Sequence, residues 1–246
     1  MFKIGKALDA GRKRQGKENQ DTLGLVHPRF FNRRPPMLVI ADGMGGYNGG
    51  AIASQTVVKD MLAVYQKSSK KDPPLGVLKA GISRAHCKIR SLAANDSNLS
   101  QMGSTVVAAI LWKDRLFLAN IGDSRAYLIR EETIRQVSWD HSVVGELLRQ
   151  GLITPEEVRS HPKRNILTMS INAVRENLEI YTTELEWTPQ DILLLCSDGL
   201  WAPVSESEIQ DVVTRLSPQE AAEKLVEKAN ANSGPDNISI LIARHR

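Results

Sequence analysis

With 246 residues, 41% of them hydrophobic and 24% charged, the chain can bury a substantial core, which excludes a disordered or low-complexity protein. The formal charge of +4 comes from Lys and Arg spread along the chain, apart from short groups at 12–14 and 67–71, and reads as a solvated basic surface suited to an anionic substrate, not as a nucleic-acid footprint. The two cysteines, Cys87 and Cys196, belong to no Cys-x-x-Cys or Cys/His cluster, no stretch reaches about 18 consecutive apolar residues, and residues 1–6 lack the apolar run of a signal peptide; the expectations are a reduced, cytoplasmic protein without zinc, disulfide or membrane span.

In chain order, an apolar run predicts a strand at 37–41, and helical periodicity follows at 50–65 and 75–92. Strands at 105–112, 116–120 and 126–130 are separated by turn residues, Lys113-Asp114 and Glu131-Glu132 marking two of the turns, which predicts an antiparallel meander and argues against a parallel α/β fold. Thr154-Pro155-Glu156-Glu157 and Ser217-Pro218-Gln219-Glu220 each place a hydroxyl at the N-cap, proline at the first helical position and glutamate at the third, and Ser205-Glu206-Ser207-Glu208 has the same box without proline. Two further strands are predicted at 192–196 and 238–243. The breaks at 68–74 and 160–172 are short and no repeat is visible, so residues 1–246 read as one domain.

Four stretches deliver an aspartate beside glycine, asparagine or the end of an apolar run: Asn19-Gln20-Asp21, Asp42-Gly43-Met44-Gly45-Gly46, Ser197-Asp198-Gly199-Leu200 and Asp236-Asn237. Taken singly, Asp198-Gly199 and Asp236-Asn237 are ordinary turn sequences, and the glycine loop is a flexible strand-to-helix connection without dinucleotide or P-loop spacing. If the four ends converge, their charges repel and raise one another's pKa until cations neutralise them, and hard oxygen donors suit Mg²⁺ or Mn²⁺.

These stretches, taken with Gly103-Ser104-Thr105, Gly122-Asp123-Ser124-Arg125-Ala126-Tyr127 and Asp140-His141-Ser142, resemble in order and wording the metal-dependent protein serine/threonine phosphatases of type 2C, the PPM family, over residues 14–241. The DGMGG form and residues 140–162 are most similar to its compact bacterial branch. The resemblance implies an α+β fold, an α-β-β-α sandwich of two antiparallel sheets flanked by helix pairs, with two Mn²⁺ or Mg²⁺ ions at one end. It implies a catalytic set of Asp42, Asp198 and Asp236: Asp42 bridges both metals, the Gly43 carbonyl binds one, Asp198 and Asp236 complete the other, and Asp21 supports them partly through water. Asp123, with Asp198, is the candidate for a weak third metal, although the aspartate that many relatives carry soon after Asp-Gly-Leu is replaced here by Trp201-Ala202-Pro203.

Arg14 is the candidate phosphate clamp, because a guanidinium binds two phosphate oxygens at once, and Arg12 competes because Arg14 lies five residues before Asn19 where the family pattern has three. His141 is read as structural, with Asp140 or Ser142 capping the next helix. Both cysteines are read as buried and inert. Residues 139–172 resemble the family's flap. The implied activity is hydrolysis of phosphoserine and phosphothreonine in proteins by metal-activated water, opposing a bacterial Ser/Thr kinase, with that kinase or its substrates as partners and no nucleic acid or membrane. The alternative is a pseudophosphatase of the same fold that binds phosphoprotein without turnover.

Overall fold

The structure is a computed structural model that describes residues 2–27, 34–45 and 49–245; Gly46 of the glycine loop lies outside them. The first half of the chain forms β1 (Phe2–Asp9), β2 (Asp21–Val26), β3 (Met37–Met44), α1 (Gly49–Lys67), α2 (Pro74–Asn95), β4 (Gly103–Ser104), β5 (Val106–Trp112) and β6 (Arg115–Ile121). There follow β7 (Arg125–Arg130), β8 (Thr133–Gln136), α3 (Val143–Arg149), α4 (Pro155–Ser160), β9 (Ile171–Asn172), β10 (Tyr181–Glu186), β11 (Ile192–Cys196), α5 (Asp198–Trp201), α6 (Glu206–Arg215), α7 (Pro218–Ala231) and β12 (Ile238–His245). Every strand pairing is antiparallel. One sheet runs β1-β12-β11-β7-β8, and the other runs β10-β6-β5-β3-β4-β9 with β2 also on β3.

Alternation along the central strands explains why the apolar runs are unbroken: both faces of each sheet are covered. In β3, Leu38 and Ile40 join the core between the sheets, while Met37, Val39 and Ala41 pack with residues of α1 and α2. In β11, Leu193 and Leu195 enter the same inter-sheet core, while Ile192, Leu194 and Cys196 pack with residues of α6 and α7. The layers are therefore helix, sheet, sheet, helix, as expected. The three predicted capping boxes are all formed, at Thr154, Ser205 and Ser217.

Two expectations are corrected. The meander is not one sheet, for β5 and β6 form a hairpin in one sheet and β7 and β8 in the other, with Lys113 and Glu131 at positive φ in the two turns. The linking residues 122–124 cross between sheets, which carries Asp123 to the end of the sandwich where the other aspartates emerge. Cys87 is exposed, because it lies on the solvent side of α2 whose inner side carries Ile82, Ala85 and Ile89. Cys196 is buried as expected, and burial pushes its thiol far above the usual range, which keeps it protonated and inert.

Candidate metal and phosphate site

Asp21 and Asp42 are cross-strand partners at the ends of β2 and β3, so the register of one antiparallel pair sets two carboxylates side by side. Asp42 is fixed through its backbone: its N–H donates to Thr105 Oγ1 at 3.1 Å, and its carbonyl accepts from the Thr105 N–H at 2.8 Å and from Ser104 Oγ at 3.0 Å. Thr105 Oγ1 is in turn 2.7 Å from Ser124 Oγ beside Asp123. Gly43 follows with no room for a side chain, since a Cβ there would stand 2.0 Å from the Gly50 carbonyl oxygen at the start of α1.

The second sheet supplies the rest. Asp198 begins the one-turn α5 directly after β11, and the helix packs so closely on β12 that a Cβ on Gly199 would meet the Asn237 carbonyl at 1.9 Å. Asp198-Gly199 is thus a strand-to-helix junction, not a β-turn. Ser197 Oγ donates to Asp21 Oδ2 at 2.7 Å and accepts the Ser239 N–H at 3.0 Å, tying the two sheets together at the site. Asn237 Oδ1 accepts the Gln20 N–H at 2.9 Å, while Asn237 Nδ2 donates to the Ala10 carbonyl at 2.8 Å. These two bonds position Asp236 beside the segment that carries Arg14.

Electrostatics shows how tightly the carboxylates are packed. Asp42 lies within hydrogen-bond reach of both Asp21 and Asp198, yet Asp21 Oδ1 and Asp198 Oδ1 are buried without a donor. Buried acceptors of like charge in one cluster call for shared protons, water or cations. Burial raises Asp42 well above the ordinary carboxylate range, and Asp21, Asp198, Asp123 and Asp236 raise it further. Asp198 is raised in the same way by burial and then by Asp123, Asp236 and Asp21. Burial pushes Asp21 up to about 6, against the opposing pull of its Ser197 hydrogen bond. Asp123 is pushed up to about 7 by burial and by Asp140, with Arg125 opposing.

The donor set fits divalent cations on those grounds: hard oxygens, mutually repelling, two of them without a hydrogen-bond donor. Among the described residues no three His, Cys, Asp or Glu side chains already stand as a closed ligand group. Asp236 instead turns to Arg14, whose Nε is 3.0 Å from its Oδ1, a charge contact without hydrogen-bond alignment. Arg14 also donates to Gln20 Oε1 at 3.2 Å. Its neighbour Arg12 is exposed and contributes only its backbone N–H, to Asn230.

Gln20, Ser197 and Asn237 belong to recognised stretches, but their bonds across the site had no sequence signal. The cluster around Arg125 is a further finding. Its guanidinium is buried, binds Asp140 at 2.7 Å, donates to the Tyr127 hydroxyl at 2.9 Å and lies 3.8 Å over the Trp201 ring. Trp201 Nε1 reaches the Asp123 carbonyl at 2.9 Å. Asp140 is thus an ion-pair partner, and Ser142 caps α3 through the Gly145 N–H. His141 is half-buried with its pKa lowered by burial, and its ring Nδ1 lies against the Gly122 backbone, 3.2 Å from the amide nitrogen.

With five aspartates gathered where two antiparallel sheets end, the profile of the family described as Protein phosphatase 2C matches residues 10–230. The chain belongs to the protein phosphatase 2C family. It is 36% identical over 239 residues to the serine/threonine phosphatase stp of Listeria welshimeri, covering 95% of this chain and 92% of that one. It superposes on the serine/threonine phosphatase Stp1 of Staphylococcus aureus with TM-score 0.91 at 29% identity, covering 100% of this chain and 96% of the other. A third likeness, with TM-score 0.86 and 31% identity over 99% and 97% of the two chains, is to the catalytic domain of the phosphatase PstP in complex with two manganese ions.

Proposed function

We propose that this chain hydrolyses phosphoserine and phosphothreonine in proteins, in the bacterial cytoplasm, opposing a Ser/Thr kinase. The observation that carries the reading is the convergence of Asp21, Asp42 and Asp198 into one acceptor cluster with two oxygens lacking donors. Asp42, the Gly43 carbonyl, Asp198 and Asp236 would hold two Mn²⁺ or Mg²⁺ ions, with Asp21 in support through its free Oδ1 and Asp123 with Asp198 as the pair for a weaker third. Such ions, when bound, make water acidic enough to ionise near neutral pH and orient it for in-line attack on phosphorus.

The chain's own part follows from the geometry. Ser104 and Thr105 hold the Asp42 backbone rigid, and Ser197 locks Asp21 in one rotamer, so the carboxylates are preorganised. Arg14 stands beside Asp236 with an Nε that makes no aligned hydrogen bond, which favours it over Arg12 as the group that grips phosphate oxygens. Residues 139–172, anchored by the Arg125–Asp140 pair, form the wall that a phosphoprotein would meet. Retention of the whole acceptor cluster favours turnover over a pseudophosphatase, because a pure binding module gains nothing from buried, mutually repelling acids.

The test is hydrolysis of a phosphothreonine peptide with Mn²⁺, with EDTA, and by Asp42→Asn. The expected result is activity in Mn²⁺ alone and a loss of about a hundred- to a thousandfold in the variant, the scale at which one electrostatic group matters in a preorganised site. Activity that survives EDTA, or a fully active Asp42→Asn, contradicts the proposal.

A further inference from the structure

The fold gathers basic charge that the sequence scatters. Residues 49–95, which comprise α1, α2 and their connection, hold eight lysines and arginines against two aspartates, a formal +6 in a chain whose total is +4. All eight side chains are exposed, and the remainder of the chain is net acidic. On this helical layer Lys59, Arg84 and Lys88 line a cleft of about 510 Å³ between α1 and α2, with Thr56 and Ser91 also in its wall. Its one acid, Asp60, is already neutralised by Arg84 at 2.9 Å, which leaves Lys59 and Lys88 free among the described ion pairs.

We propose that this cleft docks an acidic segment of a protein partner, remote from the reacting phosphate. Charge complementarity is the first argument: a cluster of one sign in a concave site concentrates an oppositely charged segment and speeds its encounter. The lining distinguishes between anionic partners. None of the described large exposed hydrophobics, Leu8, Trp139, Leu152, Ile166 and Val174, belongs to this layer, so nothing on it inserts into a lipid surface. Its one Phe, Tyr or Trp, Tyr65, is buried, so no ring is offered for base stacking. Two unpaired lysines lining a cleft match carboxylates on an extended peptide.

The placement gives the cleft a use, and here the inference rests on the phosphatase reading. α1 starts against Gly43 at the acidic cluster, and Lys59 lies ten residues along it, about 15 Å away at the helical rise. An extended peptide spans that distance with about five residues or more. A substrate can therefore present phosphothreonine to the aspartates while an acidic run several residues away occupies the cleft.

The test separates docking from catalysis. A fluorescent, phosphate-free peptide of about twelve residues rich in Glu and Asp is titrated with the whole chain and followed by anisotropy at low and high salt. Lys59→Glu with Lys88→Glu should weaken binding at least about tenfold and flatten its salt dependence, Lys59→Arg with Lys88→Arg should retain it, and hydrolysis of p-nitrophenyl phosphate with Mn²⁺ should be the same in all three proteins. No binding, equal binding by the Glu variant, or tighter binding to duplex DNA or phosphatidylserine vesicles overturns the proposal. Failure of the wild-type chain to hydrolyse p-nitrophenyl phosphate would instead count against the phosphatase reading and leave the anisotropy result standing.

Discussion

Arg12 and Arg14 share a single 3₁₀ turn, yet only Arg14 points its guanidinium at an aspartate of the cluster. Charge-assisted hydrogen bonds are worth roughly 1.5–3 kcal/mol each. Arg14→Ala is therefore expected to raise KM for a phosphopeptide by about 10- to 100-fold, while Arg12→Ala changes it less than about twofold; steady-state kinetics on both variants decides, and the reverse ranking moves the clamp to Arg12. The sequence favoured Arg14 but left Arg12 as a competitor, because Arg14 lies two residues further from Asn19 than the family pattern has it. What brings this turn beside Asp236 is the Asn237–Ala10 bond and the close seat of Gly11 on the Asp236 carbonyl, contacts between opposite ends of the chain. The aspartates were legible as an ordered set of stretches, since singly Asp198-Gly199 and Asp236-Asn237 read as ordinary turns. Their mutual hydrogen-bond reach was not, since it depends on sheet register.

At the scale of elements, the strands read correctly from sequence, β3, β5, β6, β7, β11 and β12, each have at least two neighbours and apolar side chains on both faces. Those missed, β1, β2, β8, β9 and β10, pair on one side only among the described residues, and in β1, β8 and β10 exposed polar residues interrupt the apolar ones, so no apolar run announces them. The two-residue β4 is too short to leave a pattern. The start of β7 and the segment just before α3 are joined by the Arg125–Asp140 pair, fifteen residues apart with no local signature. Removing one partner of a buried pair costs about 3–5 kcal/mol, whereas replacing both by apolar groups is often neutral. Arg125→Leu should lower Tm by roughly 6–20 °C in a chain of this size, and adding Asp140→Leu should recover much of the loss. Calorimetric scans of the two variants check this; an unchanged Tm for Arg125→Leu would show that the pair is not structural.

For the whole molecule, the acidic cluster makes stability depend on pH and metal together. Asp21 and Asp123 titrate near 6 and 7 when folded, above the ordinary value of 3.8. A raised folded pKa stabilises the protonated fold, so this stabilisation is full below about pH 4 and is lost as pH rises through the two folded values. At about 1.4 kcal/mol per unit, Asp21 alone accounts for on the order of 3 kcal/mol. In EDTA, urea unfolding should therefore show the cluster's contribution falling between about pH 4 and 7.5, and Asp21→Asn should flatten that slope. Divalent cations should reverse the trend, because they bind the ionised carboxylates and so stabilise the fold more as pH rises.

The most direct test of the central claim, that these aspartates form one metal centre, is calorimetric titration of the EDTA-treated protein with Mn²⁺ at neutral pH. Wild type is expected to take up two ions per chain with release of protons, and Asp42→Asn, which removes one carboxylate of the cluster, should lose both binding events. No binding by wild type, or two unchanged events in the variant, would contradict it.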